Sequence, residues 1–185
     1  TFELSGSVAT VAGFGSDYVE GIEAVEGSAH DDEMTTGSGI DTLLGADGDD
    51  TLIAGPSSSE VLLDGGAGDD VLDAGSLNSA SATLIGGAGN DTFYSGGGND
   101  IFDGGEGGMD VADYSFVTDD LTIDLGDTFG QDVGASLGTD TLLDIEVLVA
   151  GSGNDDLAAA NSGSTIDAGD GDDSVTAGSG NDSLI

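Results

Sequence analysis

Aspartate recurs on a fixed beat in this chain, at Asp32, Asp41 and Asp50, at Asp70, Asp91 and Asp100, and again at Asp155, Asp173 and Asp182. Each closes a turn-forming run rich in glycine. The candidate glycines of these turns are Gly37, Gly39, Gly48, Gly66, Gly68, Gly87, Gly89, Gly97, Gly151, Gly153, Gly169, Gly171, Gly178 and Gly180. Glycine turns expose main-chain carbonyls, and the aspartate adds a carboxylate, so the recurring chemistry is a set of oxygen donors. The chain has 38 acidic residues and no lysine or arginine, giving a formal charge of −38. No internal cation can neutralise such a set, so a compact state needs one from outside.

Other chemistries lack their residues. The single histidine, His30, falls in a turn of a repeat, where a solvated side chain explains it better than a catalytic base. No G-x-S-x-G elbow is present, which leaves a serine triad without support. H-E-x-x-H is absent, and no lysine exists to build a phosphate loop. Cysteine is absent, which excludes thiolate metal sites and disulfides. The spacing of an EF-hand fails at residues 47–50 and 170–173. Nucleic acid is excluded as a partner, because phosphate neutralisation needs basic side chains. No apolar run approaches the ~20 residues of a membrane span, so no transmembrane segment is expected.

The elements that must hold these aspartates are short. Residues 86–94 read GGAGNDTFY and residues 95–103 read SGGGNDIFD. Each is a glycine turn followed by a β-branched or aromatic triplet suited to a strand. The units run 27–35, 36–44, 45–53, a stretched 54–64, 65–73, a stretched 74–85, 86–94, 95–103 and a degenerate 104–112. A second series runs 150–158, 159–167, 168–176 and 177–185. In most units aspartate holds the sixth place and an apolar residue the eighth. A three-residue strand cannot bury its own apolar side chain, so neighbouring units must stack. The expected core is the eighth-place ladder: Met34, Leu43, Leu52, Leu63, Leu72, Leu84, Phe93, Phe102, Leu157, Ile166, Val175 and Leu184. Helical periodicity is absent. The expected organisation is a linker or cap over 1–26, a first block over 27–112, an inter-block strand linker over 113–149 containing the alternating stretch 121–125, and a second, truncated block over 150–185. Residues 16–25 recur as 139–148, 123 residues apart, which suggests a tandem array cut out of register.

The pattern G-G-x-G-x-D-x-U-x, seen best at residues 65–70, 86–91, 95–100 and 177–182, resembles the RTX (repeats-in-toxin) nonapeptide family. The residues 111–115, 121–125 and 138–146 resemble the linkers that such proteins place between repeat blocks. The resemblance implies an all-β fold, a right-handed parallel β-roll or β-solenoid with two nonamers per coil. It implies several Ca²⁺ ions between successive same-side turns, held by the aspartates and glycines named above. Calcium suits such a donor set, since it takes 6–8 oxygens in flexible geometry. Alternate units then lie on opposite edges. Asp32, Asp50, Asp70 and Asp91 form an unbroken row on one edge, and Asp41 and Asp100 flank the stretched units on the other. Asp155 and Asp173 share an edge, with Ser164 and Asp182 opposite.

From these features the expected function is a non-enzymatic, extracellular or cell-surface calcium-binding repeat that folds on binding Ca²⁺. It serves as part of an adhesin, filament or surface layer, with self-association or tandem copies. The alternative is the carboxy-terminal secretion and folding module of a type I-secreted protease, lipase or epimerase.

Overall fold

Each unit folds as its pattern demands. Thr51–Ile53, Val71–Asp73, Thr92–Tyr94 and Thr165–Asp167 are three-residue strands in which only the middle side chain is fully buried. In the computed structural model, residues 8–10, 24–36, 42–56, 60–77, 79–134 and 137–185 are described. Among them there are strands and turns but no helix, and none is long and apolar enough to cross a membrane.

The strands form an eleven-stranded and an eight-stranded sheet, facing each other in a parallel β-solenoid of about eight turns. Successive units alternate between the sheets, so each strand pairs with one two units on. On the smaller sheet Met34 pairs with Leu52, Leu52 with Leu72, Leu72 with Phe93, and Leu148 with Ile166. On the larger sheet Leu43 pairs with Leu63, Leu63 with Leu84, Leu84 with Phe102, and Phe102 with Leu142. Keeping one apolar position in register through every coil is what makes the core continuous.

Larger-sheet strands lengthen where they lead into the unbroken edge. Thr42–Asp47, Val61–Ala67, Ala82–Ala88 and Ile101–Glu106 run through the first places of the next unit. Glycine permits this: Gly66 and Gly87 sit at φ 106° and 108°, and a Cβ there would strike the carbonyl of Ala46 or Gly66 in the preceding coil.

Between the blocks the sheet changes direction. Thr122–Asp124 pairs in parallel with Asp156–Ala158, and Thr139–Leu143 pairs in parallel with Ile101–Glu106. Gln131–Asp132 lies between them, antiparallel to both. The buried amide of Gln131 fixes this insertion, accepting from the Asp124 N–H at 3.0 Å and donating to the Phe129 carbonyl at 2.7 Å. The expected longer strand over 121–125 is three residues, because Leu125 already enters a turn, while Leu121 and Ile123 are buried as alternation requires. The unit read as 104–112 extends to 113: Ala112 pairs with Phe93 and so takes the eighth place, which requires one inserted residue.

Nine of the twelve expected core residues are buried, and the three others, Met34, Val175 and Leu184, lie on strands at the ends of the stack. Among the described residues an end strand pairs on one side only, and these three side chains are part exposed. Inside, Phe93 stacks on Phe102 with centroids 5.3 Å apart, and Phe102 stacks on Tyr114 at 6.1 Å. Removing a large ring from such a column leaves a cavity. Phe93→Ala is expected to destabilise the calcium-saturated chain by about 3–5 kcal/mol. Leu184→Ala, already half exposed at an end, should change it by under ~1 kcal/mol; chemical unfolding measures both.

Candidate metal centre

The sixth-place side chains form two hydrogen-bonded rails along the edges of the solenoid. On the unbroken edge, each aspartate's Oδ1 accepts the N–H of the sixth residue one coil earlier. The Asp32 N–H donates to Asp50 at 2.7 Å, Asp50 to Asp70 at 2.7 Å, Asp70 to Asp91 at 2.8 Å and Asp91 to Asp110 at 2.8 Å. The rail continues as the Asp110 N–H donates to Glu146 Oε2 at 3.1 Å, and reappears where the Ser164 N–H donates to Asp182 at 3.0 Å. On the other edge the Asp155 N–H donates to Asp173 at 2.9 Å, Leu121 to Asp155 at 2.8 Å, and Asp100 to Asp140 at 2.9 Å. Val61 and Ala82 occupy the sixth place in the stretched units, which therefore lack an acid there.

Thus Asp32, Asp50, Asp70 and Asp91 stand on one edge and Asp100, Asp155 and Asp173 on the other. Asp41, Gly37 and Gly39 lie outside the described residues. Gly48, Gly66, Gly68, Gly87, Gly89, Gly169 and Gly171 adopt positive φ, whereas beside Gly97 it is Gly98 that does so. Gly151, Gly153, Gly178 and Gly180 have no positive φ but pass so close to the neighbouring coil that a Cβ would overlap its backbone.

Sequence reasoning missed three rail members, Asp110, Asp140 and Glu146. Their signal was present, since residues 138–142 read G-T-D-T-L, the fourth to eighth places of the repeat. It also missed a second ladder built by the fifth place. Asp31, Asp49 and Asp69 accept N–H groups from Asp49, Asp69 and Asn90 of the following coil at 3.1, 2.9 and 2.8 Å. Asn154 likewise accepts from Asp172 at 3.1 Å. Fifth-place bonds run in the opposite direction to sixth-place bonds, so adjacent residues tie each turn to both neighbours. The Asn-Asp and Asp-Asp pairs of the sequence are this double tie.

What the rails leave unpaired is diagnostic. Oδ2 of Asp50, Asp70, Asp91 and Asp155 is buried with no hydrogen-bond partner. At Gly45, the place a Cβ would occupy is pressed by both Asp50 Oδ2 and the Gly65 carbonyl of the next coil; at Gly27, Asp32 Oδ2 and the Gly45 carbonyl converge likewise. Carboxylate and carbonyl oxygens from successive coils thus meet where the first residue of the unit is glycine. Among the described residues no three His, Cys, Asp or Glu side chains group together, so the ligand set has to draw on main-chain carbonyls. An anionic oxygen without a donor, beside carbonyl oxygens and in a chain without basic residues, fits a hard oxygen-seeking divalent cation. Asp50, Asp70, Asp91 and Asp155 would hold Ca²⁺ with the carbonyls of their turns, and the ion would supply the charge that the chain lacks.

Electrostatics agree. Burial above all, with neighbouring carboxylates adding to it, raises Asp50 and Asp91 from 3.8 to about 6 and Asp140 to about 7. Burial also raises Asp70, Asp100, Asp110, Asp155 and Glu146. Sixth-place carboxylates are stacked one per coil, ~4.8 Å apart. Two charges at that distance repel by roughly 3 kcal/mol at an effective dielectric of ~20.

Fold and site together define a calcium-binding β-solenoid whose ions are structural. The RTX calcium-binding nonapeptide repeat matches in four copies, over residues 26–57, 61–79, 78–108 and 145–184, and the chain belongs to that family. Repeats of this family bind several Ca²⁺ ions along the roll, a structural rather than a catalytic arrangement. Comparison with curated proteins finds no match.

Because the folded pKa values of Asp50 and Asp91 lie above the ordinary one, the metal-free fold takes up protons at these carboxylates and gains stability as pH falls from about 6 toward 3.8. Protons and calcium compete for the same oxygens. The rise in melting temperature on adding calcium should therefore be smaller at pH 5.5 than at pH 7.5, as scanning calorimetry would show. Gly89→Ala places a Cβ against the Gly68 carbonyl at φ 145°, and should raise the calcium concentration for half-folding several-fold in a circular dichroism titration.

Proposed function

We propose that this chain is an extracellular calcium-stabilised structural repeat, a spacer or building unit of a surface adhesin, filament or surface layer. The observation that carries it is the set of buried, donorless carboxylate oxygens, Asp50, Asp70 and Asp91 on one edge and Asp155 on the other, which a bound cation would satisfy. Modules of this kind in extracellular proteins bind calcium at ~10⁻⁴ to 10⁻³ M, so the chain stays unfolded where calcium is scarce and folds where it is plentiful.

The 123-residue recurrence supports serial repetition. Ala24–Glu26 and Val147–Val149 both form strands, one on the larger sheet and one on the smaller. The residues corresponding to Asp32 and Asp50 are Asp155 and Asp173, which therefore lie on the opposite edge. In a continued array the well-populated edge would alternate from one copy to the next. Among the described residues the outermost strands of both sheets pair on one side only, which supports end-to-end stacking.

Titration with calcium, followed by circular dichroism, tests the reading. Strand signal should appear between ~10⁻⁴ and 10⁻³ M Ca²⁺ and vanish with chelator. A chain already folded in excess chelator, or folded equally well by magnesium, would contradict it. Sedimentation in saturating calcium should show species larger than the monomer, and monomers alone would remove the stacking component.

A further inference from the structure

Among the described residues, six of the seven buried sixth-place aspartates fall into two kinds, with Asp110 in neither. At Asp50, Asp70, Asp91 and Asp155 the second oxygen has no donor. At Asp100 and Asp140, which are 1% and 0% exposed, every carboxylate oxygen faces one. Asp100 Oδ1 accepts the Ala82 N–H at 2.7 Å, and its Oδ2 accepts the Gly96 N–H at 3.2 Å. Asp140 Oδ1 accepts the Asp100 N–H at 2.9 Å, and its Oδ2 accepts the Tyr114 hydroxyl at 2.8 Å. The Ser95 hydroxyl lies 2.9 Å from Asp140 Oδ2 and 3.2 Å from Asp100 Oδ2, within reach of either.

Both hydroxyl donors are placed by the fold. Ser95 opens its unit where Gly45, Gly65, Gly86 and Ala150 open those of the donorless aspartates, so it brings a hydroxyl to a turn where the others bring none. Tyr114 follows the strand Val111–Asp113, is fully buried, and stacks on Phe102, which aims its oxygen at Asp140. Asp140 in turn lies on Thr139–Leu143, the strand that returns the chain to the roll after the antiparallel insertion. The group thus joins residues 95–100, 114 and 140 across the passage from one block to the next.

We propose that Ser95 and Tyr114 take the place of a cation at Asp100 and Asp140, forming a calcium-free clasp that holds the returning strand to the roll. The proposal rests on calcium occupying the donorless turns. Asp100 and Asp140 are then positioning residues, and their turns take no ion. A hydroxyl donor also holds the buried oxygen in one geometry, whereas an ion exchanges with solvent. The clasp keeps its bonds at any calcium concentration at which the chain is folded.

Calcium stoichiometry by isothermal titration, together with melting temperature in saturating calcium, tests this on the whole chain. Asp91→Asn should bind fewer ions than the parent. Asp100→Asn and Tyr114→Phe should bind the parental number. Tyr114→Phe leaves a buried acceptor one donor short and should lower the melting temperature by roughly 3–10 °C, by the same amount at every saturating calcium concentration. Loss of an ion in Asp100→Asn, or an unchanged melting temperature in Tyr114→Phe, overturns the clasp alone. An unchanged ion count in Asp91→Asn overturns the calcium reading, and the clasp with it.

Discussion

Like charges held at the spacing of a β-ladder are the constraint on which this molecule turns. A parallel solenoid fixes its coils ~4.8 Å apart, and the repeat stacks carboxylates on both edges, one per coil from Asp32 to Asp110 on the unbroken edge. With 38 acids and no lysine or arginine, nothing in the chain offsets the repulsion. Main-chain N–H groups quench half of each carboxylate, as the bonds between Asp50, Asp70 and Asp91 show, and burial withholds water from the other half. The remaining oxygen is available only to a cation. The convergence of oxygens from successive coils does not exist until the coils stack, so calcium binding to that set would favour the stacked state.

Glycine and the core serve the same end from opposite sides. The turns at Gly66, Gly68, Gly87 and Gly89 pass over the carbonyls of the coil before them so closely that no Cβ fits. That approach brings carbonyl oxygens of neighbouring coils within reach of one ion. The eighth-place column of Leu52, Leu72 and Phe93, and that of Leu63, Leu84 and Phe102, sets the register that aligns the turns. The fifth-place ladder, running counter to the sixth, ties each turn to the coils on both sides.

The rails are not uniform. Stretched units put Val61 and Ala82 at the sixth place of one edge, and Leu121 stands there where the second block begins. The donorless oxygens accordingly cluster on one edge through Asp91 and on the other at Asp155. The change of edge follows from an odd number of half-coils between the two recurring segments, and the antiparallel strand Gln131–Asp132 is inserted within that interval.

The nine-residue phase, written plainly in residues 86–103, determined the positions of the regular strands, the inward eighth place, the pairing of every second unit and the edge on which each described sixth-place aspartate of the regular units falls. These are consequences of periodicity, and periodicity survives translation into structure because each coil meets only its neighbours. Tertiary structure alone decided which irregular segments keep the phase. Asp110, Asp140 and Glu146 join the rails although insertions or substitutions blur their motifs, because strand pairing by Ala112, Leu142 and Leu148 restores the register after each irregularity. Structure also decided which carboxylates keep a free oxygen, since the donor to Asp140 arrives from Tyr114, 26 residues away in sequence. A local pattern cannot encode a partner that the path of the chain brings in from another coil.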